Sequence, residues 1–182
     1  MDRISPTSDL AFKKVLASED TKDILGGFIN DFFGIEVTPD EITIKNPYSI
    51  TVYWEYVNGE EITELHDTIK DIAASFKIAD FVSELQIRKT SYFDERALYY
   101  PFEQFYKNYD NAGSMKVMKD GRPLRYSSLR PVYALNVLGY NHFQGDNDAL
   151  RIFELYDPKR NKRYKKDLLK IGFFELSKTN IV

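Results

Sequence analysis

The sequence contains no cysteine and only two histidines, His66 and His142. Without cysteine the chain cannot build a disulfide framework, an iron-sulfur cluster or a zinc site with thiolate ligands. Two histidines also argue against a metal site made of imidazole ligands. No apolar run approaches the roughly 20 residues that span a bilayer, and the N-terminus lacks the pattern of a signal peptide. We therefore expect a cytoplasmic protein that makes no contact with a membrane.

Motifs that mark several common enzyme classes are missing as well. The sequence has no GxGxxG or GxxxxGK[ST] phosphate-binding loop, no GxSxG nucleophile turn and no HExxH pair. These motifs provide phosphate binding by backbone amides, an activated serine, and a histidine pair for zinc. We therefore expect no nucleotide cofactor, and nothing supports a serine hydrolase or a zinc protease.

Hydrophobic periodicity predicts an alternation of helices and strands within a single domain over residues 1–182. The predicted elements are two short helices, the second ending at Gly34, strands between residues 42 and 76 with a hairpin turn at Asn58-Gly59, a strand at about 80–89, a helix over 98–109, and strands at 132–139, 150–156 and 170–176. Pro101 lies inside the helical pattern, so that segment is either kinked or two helices. Residues 110–130 are polar and predict a long connection. This order favours an α/β fold with a central mixed sheet flanked by helices.

The charge of the chain is divided unevenly between its halves. The formal net charge is −3, but residues 1–91 hold 9 Lys and Arg against 17 Asp and Glu, whereas residues 92–182 hold 16 against 11. The two halves therefore carry −8 and +5. Such asymmetry is typical of an acidic site beside a surface that meets a polyanion, although interleaved strands would blur it.

Two carboxylates lie inside apolar strand patterns, Asp71 in TIKDIAASF and Glu84 in DFVSELQI. A carboxylate inside a strand is costly to bury unless it is paired or binds a metal. On adjacent antiparallel strands the two could converge and bind a hard cation such as Mg²⁺. Alternation would place Gln86 and Arg88 on the same strand face as Glu84. The alternative is a solvated face on which both acids make ordinary cross-strand pairs.

Several segments form an ordered set along the chain. They are PTSDLAFKK at 6–14, Asp71 followed after a turn by Glu84-Leu85-Gln86, DERALYY at 94–100, LRPVYALNVL at 129–138, FELYD at 153–157 and FFELSK at 173–178. In this order they resemble the PD-(D/E)XK nuclease family transposases, also called Rpn-type recombination-promoting nucleases. The likeness spans residues 6–178, and the ordered set is much more specific than any one segment.

The resemblance implies a restriction-endonuclease-like αβββαβ core and cleavage of DNA phosphodiesters with Mg²⁺ or Mn²⁺ as cofactor. Asp71 matches the motif aspartate, Glu84 the motif Asp/Glu, and Gln86 the position where many members have lysine and this subgroup often has glutamine. Asp9 on the first helix matches an acidic position that can assist the site. We expect Asp71 and Glu84 to bind the metal, with the Leu85 backbone carbonyl as a further ligand.

Glutamine at position 86 changes what this strand can do. Its amide has no charge and no titratable proton, so it can orient a water molecule or a phosphate but cannot act as a general base. Activation of water would then depend on the metal, and Arg88 is a candidate for the missing cation.

Other basic residues are candidates for contact with DNA. A dense basic run covers residues 159–166 and could neutralise several phosphates, although a solvated connection between two strands explains it equally well. Arg96 would point toward the same pocket as Glu84 if it follows the family, and is otherwise a surface charge on a helix. The residues of the run that we expect to contact DNA are Lys159, Arg160, Lys162 and Arg163.

The sequence thus predicts a metal-dependent DNA endonuclease linked to transposition or recombination. Two alternatives stay open: a DNA-binding or protein-interaction module that kept the fold and lost cleavage, and an enzyme that acts on RNA. A homodimer is compatible with the sequence. Because family members commonly continue into a helical C-terminal region, we also expect that such a region is absent from this chain.

Overall fold

A six-stranded mixed sheet forms the centre of the protein. The computed structural model describes residues 9–45, 72–112, 126 and 129–179. The strands are β1 (Thr43–Ile44), β2 (Ile72–Ser75), β3 (Asp80–Gln86), β4 (Val132–Leu138), β5 (Leu150–Glu154), β6 (Tyr156–Asp157), β7 (Lys162–Arg163) and β8 (Leu169–Glu175). The order across the sheet is β1-β2-β3-β4-β8-β5, and β6 and β7 form a separate two-stranded ribbon. Strands β3, β4 and β8 are parallel, and the remaining neighbours are antiparallel.

Helices cover both faces of this sheet. They are α1 (Asp9–Leu16), α2 (Lys22–Phe33) and α3 (Phe93–Ala112), with short 3-10 turns at Glu19–Thr21, Pro39–Glu41 and Leu176–Lys178. Helices α1 and α2 pack on one face, and α3 packs on the other. The predicted α/β fold with a central mixed sheet flanked by helices is therefore confirmed. Within the described part of the chain, no helix is both long and apolar enough to cross a membrane.

Alternation along the strands divides their side chains between the two helical layers. Phe81 and Leu85 of β3 and Leu135 of β4 belong to the core under α1 and α2, which also contains Leu25 and Ile29 of α2. The residues between them in β3 point to α3. This division places Glu84 and Gln86 on the α3 side.

Helix α3 is one continuous helix that contains Pro101. Its first turns bury Phe93 and Ala97 against Leu138 of β4 and Phe173 of β8. Pro101 is also fully buried. The packing of the helix on the sheet stabilises it across the proline, which cannot donate the usual backbone hydrogen bond.

The predicted ends of the elements agree in part with the structure. Helix α2 ends as predicted, because Gly34 has φ 63° and its N–H donates to the Asn30 carbonyl. Strand β3 ends at Gln86, three residues before the predicted end. Helix α3 starts five residues before the predicted helix. The hairpin turn predicted at Asn58-Gly59 lies outside the described residues.

Gly172 of β8 allows α2 and the sheet to approach closely, and its replacement tests that packing. A Cβ atom at Gly172 would lie 2.8 Å from Leu135 Cδ1 and 3.6 Å from Phe33 Cζ. We expect Gly172→Ala to lower the free energy of unfolding by about 1–3 kcal/mol, because the buried leucine must shift. Urea-induced unfolding measures this change.

Gly27→Ala is the matched control for that substitution. Gly27 lies in α2, and a Cβ atom there would meet nothing within 4 Å. Alanine should therefore raise the free energy of unfolding by about 0.5–1 kcal/mol. If Gly172→Ala were as well tolerated as Gly27→Ala, the contact with Leu135 would not restrict the core.

Candidate active site

Glu84 lies in the C-terminal half of β3, on the face that α3 covers. The residue is 8% exposed, which is unusual for a carboxylate without specific partners. It pairs in register with Asn136 of the parallel strand β4. Glu84 and Asn136 line a narrow cavity together with Ala97 and Pro101 of α3. Ligands of open α/β sheets bind beyond the carboxyl ends of parallel strands, and Glu84 lies toward that end.

Arg96 of α3 connects the two polar residues of this strand face. Its Nη2 atom lies 2.6 Å from Glu84 Oε1 and also donates a hydrogen bond to Gln86 Oε1. The contact is possible because residues 84 and 86 share one side of β3, while burial of Phe93 and Ala97 turns the Arg96 side of the helix toward them. The guanidinium thus provides a fixed positive charge in a partly buried position.

Both ends of the Gln86 side chain are engaged in the structure. Its Oε1 atom accepts from Arg96, and its Nε2 atom donates to the backbone carbonyl of Arg88. The amide therefore fixes the position of Arg96. The expectation that Arg88 shares the strand face of Glu84 is wrong, because β3 ends at Gln86 and Arg88 lies exposed in a bend.

Tyr140, which the sequence reading did not single out, adds a hydroxyl group near this cluster. Its ring packs against Phe93 at a centroid distance of 6.2 Å. Its hydroxyl oxygen is buried and has no hydrogen-bond partner among the described residues. Burial raises the pKa of Tyr140, the Asp94 and Glu84 carboxylates raise it further, and Arg96 opposes them. The hydroxyl therefore stays protonated at neutral pH and is available as a donor.

One known family matches nearly the whole chain. A family model described as PD-(D/E)XK nuclease family transposase matches residues 6–181. The chain belongs to the PD-(D/E)XK nuclease family transposases. Membership supports a nuclease-type function and implies DNA as the substrate. Neither a curated protein nor a solved structure matches the chain.

The other predicted metal ligands of this PD-(D/E)XK family member are described only in part. Asp71 lies outside the described residues, one position before β2. Asp9 is the first residue of α1, and α1 packs on the sheet face opposite to Glu84. Leu85 is buried in the core on that opposite face. The structure thus brings Glu84, Gln86 and Arg96 together, and the roles of Asp71, Asp9 and the Leu85 carbonyl stay predictions.

A metal ion could be held here only if Glu84, which the structure describes, acts together with a ligand predicted from the sequence. Within the described ranges, no group of three or more histidine and acidic side chains could hold a metal ion. Glu84 supplies one carboxylate, and Mg²⁺ in proteins often takes one or two carboxylates with water and substrate phosphate. Glu84 together with the predicted Asp71 is therefore a chemically suitable donor set for Mg²⁺ or Mn²⁺.

A second buried ion pair lies at the carboxyl end of β8 in this nuclease fold. Glu175 is fully buried, and its Oε2 atom lies 2.8 Å from Lys178 Nζ. Its Oε1 atom accepts hydrogen bonds from the backbone N–H groups of His142 and Phe143. Burial alone would raise the pKa of Glu175, but Lys178 and the two N–H groups lower it below its ordinary value. This pair anchors the segment that follows Tyr140.

Asp80 forms a third buried polar cluster, at the opposite end of β3 from Gln86. It is 1% exposed and lies 3.0 Å from Lys45 Nζ and 3.3 Å from Arg130 Nε. Gln104 of α3 donates to it at 3.0 Å. An acid at the first residue of an apolar strand was the only signal of this cluster in the sequence. Because two cations and an amide satisfy Asp80, the cluster is structural.

The dense basic run of this protein, residues 159–166, lies in a hairpin that is distant from Glu84. We define the basic hairpin as residues 155–166, which contain β6, β7 and the turn between them. It follows β5, which runs antiparallel to β8. The hairpin therefore begins at the end of the sheet where Asp80 lies. The four basic residues predicted to contact DNA, all of them exposed, are Lys159, Arg160, Lys162 and Arg163.

Proposed function

We propose that the protein is a divalent-metal-dependent endonuclease that hydrolyses DNA phosphodiester bonds in transposition or recombination. The observation that carries the proposal is the buried Glu84, held by Arg96 on a strand of a PD-(D/E)XK family fold. A partly buried carboxylate beside a fixed cation is an arrangement that cleavage sites use to bind charged groups.

The position of Asp71 in the chain supports its assignment as the second carboxylate. Asp71 directly precedes Ile72 in the sequence, and Ile72 pairs with Ser83 across the antiparallel strands β2 and β3. Ser83 is the neighbour of Glu84. We therefore assign Asp71 and Glu84 as the metal ligands, with the Leu85 carbonyl as an additional ligand and Asp9 in support.

The protein side chains have distinct proposed tasks around the scissile phosphate. When bound, Mg²⁺ or Mn²⁺ supplies neutralisation of phosphate charge and a lowered pKa of water. Arg96 holds Glu84 in place and provides the positive charge that a lysine at position 86 would have given. Gln86 fixes Arg96, and the protonated hydroxyl of Tyr140 is a donor for a phosphate oxygen. Arg96 is thus a better candidate for the missing cation than Arg88.

A second candidate function is a DNA-binding or protein-interaction module of the same fold that does not cleave. Two contacts favour it. Gln86 replaces the lysine found in many members and is hydrogen-bonded at both ends. Arg96 already neutralises Glu84, which reduces the attraction of that carboxylate for a metal ion.

Supercoiled plasmid distinguishes the two functions. We expect the wild-type protein to nick the plasmid with Mg²⁺ or Mn²⁺ but not with EDTA, and Asp71→Ala to be inactive under all three conditions. Circular dichroism of both proteins controls for folding. Equal plasmid binding by both proteins without nicking would establish the non-cleaving module, and cleavage of RNA but not DNA would identify a ribonuclease.

A further inference from the structure

The basic hairpin is a protruding, ordered ribbon. Tyr156 pairs with Arg163 and Asp157 with Lys162, and the Tyr164 N–H donates to the Leu155 carbonyl at 2.9 Å. Residues 158–167 are all exposed. A two-stranded ribbon of this width fits the major groove of duplex DNA.

The turn of the hairpin is fixed by local hydrogen bonds. Asp157 Oδ1 accepts from the backbone N–H groups of Lys159 and Arg160, at 3.0 and 3.3 Å. Asn161 adopts φ 53°, which closes the turn. The basic side chains are therefore displayed on a backbone that needs little ordering when it binds a partner.

Most of the positive charge of the hairpin is not compensated within the chain. Among the described residues, Arg160 pairs with Asp157 and Arg163 pairs with Glu154, each at 2.9 Å. The lysines of the hairpin make no ion pair with any described residue. These four are Lys159, Lys162, Lys165 and Lys166.

Three strand spacings separate β3, which carries Glu84, from β5, which leads into the hairpin. Glu84 lies level with Arg151 across β4 and β8, and the chain then runs along β5 away from the carboxyl end of the parallel strands. Strand spacing and rise place Leu155 on the order of 20 Å from Glu84. At 3.4 Å per base pair, this distance corresponds to about six base pairs of duplex.

We propose that the basic hairpin is a second DNA contact that binds phosphates of the duplex about six or more base pairs from the bond that is cleaved. The inference rests on the proposed function. Glu84 belongs to the half of the chain that carries a formal charge of −8, and a carboxylate repels phosphate, so affinity must come from elsewhere. Flexible lysines suit phosphates because they act as point charges without demanding one geometry. The hairpin therefore supplies the salt-dependent part of binding and sets a minimum duplex length.

The test compares two variants of equal charge. The hairpin variant carries Gln in place of Lys159, Lys162, Lys165 and Lys166. The control variant carries Gln in place of four lysines elsewhere, Lys14, Lys22, Lys77 and Lys107. Binding to labelled duplexes of 8 and 24 base pairs is measured by fluorescence anisotropy in EDTA between 50 and 200 mM salt, with thermal melting to confirm folding.

We expect the hairpin variant to bind the 24-base-pair duplex at least ~10-fold more weakly and to reduce the slope of log K against log salt by about 3 to 4, as loss of four phosphate contacts requires. The control variant should change that slope by less than about 1. The hairpin variant should also weaken binding of the 8-base-pair duplex, because about 27 Å of duplex still spans the distance from Glu84 to the hairpin, whereas the control variant should leave that binding unchanged.

Two results with DNA would overturn the inference: equal binding of the long duplex by wild type and hairpin variant, or an equal loss of binding in the control variant. Poly-L-glutamate serves as a probe for an acidic protein partner. If the hairpin variant lost binding to poly-L-glutamate but not to DNA, that result would also overturn the inference and would indicate such a partner. The proposed function is tested separately by nicking. Hairpin-dependent binding without nicking would contradict the enzyme alone, and nicking with hairpin-independent binding would contradict the hairpin contact alone.

Discussion

Replacement of Glu84 by glutamine should reduce plasmid nicking by at least ~10³-fold while the protein remains folded. The amide has nearly the same shape as the carboxylate but no charge, so it can neither help hold a divalent cation nor balance Arg96. The single-turnover nicking rate in Mg²⁺ measures the loss.

Glu95→Gln is the matched control for this substitution. Glu95 is an exposed residue in the first turn of α3, directly beside Arg96 in sequence. Glu95→Gln removes the same charge from the protein as Glu84→Gln. We expect the nicking rate of the Glu95→Gln variant to stay within about twofold of wild type, because surface substitutions of this kind have small effects. If Glu84→Gln were as active as Glu95→Gln, Glu84 would have no part in cleavage.

The contact between Glu84 and Arg96 also predicts a separation of stability from activity. Glu84→Gln leaves the guanidinium of Arg96 partly buried without its counter-charge, which should cost about 1–3 kcal/mol. A second change, Arg96→Gln, removes that unbalanced charge. We expect the double variant to regain stability in urea unfolding and to stay inactive in nicking.

Replacement of Lys178 by methionine should lower the free energy of unfolding by about 3–5 kcal/mol. The substitution leaves the carboxylate of Glu175 fully buried beside an apolar side chain, and an unbalanced buried charge is among the most destabilising changes. Methionine keeps most of the length of the lysine side chain, so lost packing contributes little. Guanidinium-induced unfolding at pH 7 measures the change, and Lys14→Met, at an exposed position, is the control.

A double variant and the pH dependence make this prediction specific to the ion pair. Glu175→Gln combined with Lys178→Met removes both charges and should recover much of the stability. The pKa of Glu175 is lowered in the folded protein, so its ionised form stabilises the fold above the ordinary carboxyl pKa of about 4.3. That contribution is lost as the pH falls through the lowered value. A difference between wild type and Glu175→Gln that did not shrink in acid would contradict the assignment.

Local sequence patterns predicted the parts of the fold that depend on neighbouring residues. The end of α2 could be predicted because Gly34 tolerates a left-handed backbone. Alternation in β3 placed Glu84 and Gln86 on one face, and the structure agrees. Continuous apolar residues predicted β4 and β8, which are covered on both sides by helices.

The contacts made by the candidate site could not be predicted in the same way. Arg96 reaches Glu84 because α3 packs across β3, and no local pattern specifies how a helix crosses a sheet. The expectation that Arg88 shares the strand face of Glu84 was wrong because the strand pattern was extended past Gln86, where the backbone bends. The hydrogen bonds from the N–H groups of His142 and Phe143 to Glu175 join residues more than thirty positions apart. The distance of the basic hairpin from Glu84 depends on the strand order, which no local pattern specifies.

The strand order has a consequence for how the protein is made. Strand β8 follows all the other strands in the chain, yet it lies between β4 and β5 in the sheet. During synthesis β4 and β5 therefore lack their shared neighbour until β8 has emerged. Until then, the backbone groups of both strands that pair with β8 are unpaired. The loop beside Tyr140 lacks its anchor over the same period, because Glu175 is the last residue of β8. We infer that the loop beside Tyr140 cannot take its place next to Glu84 and Arg96 in a nascent chain before β8 has emerged.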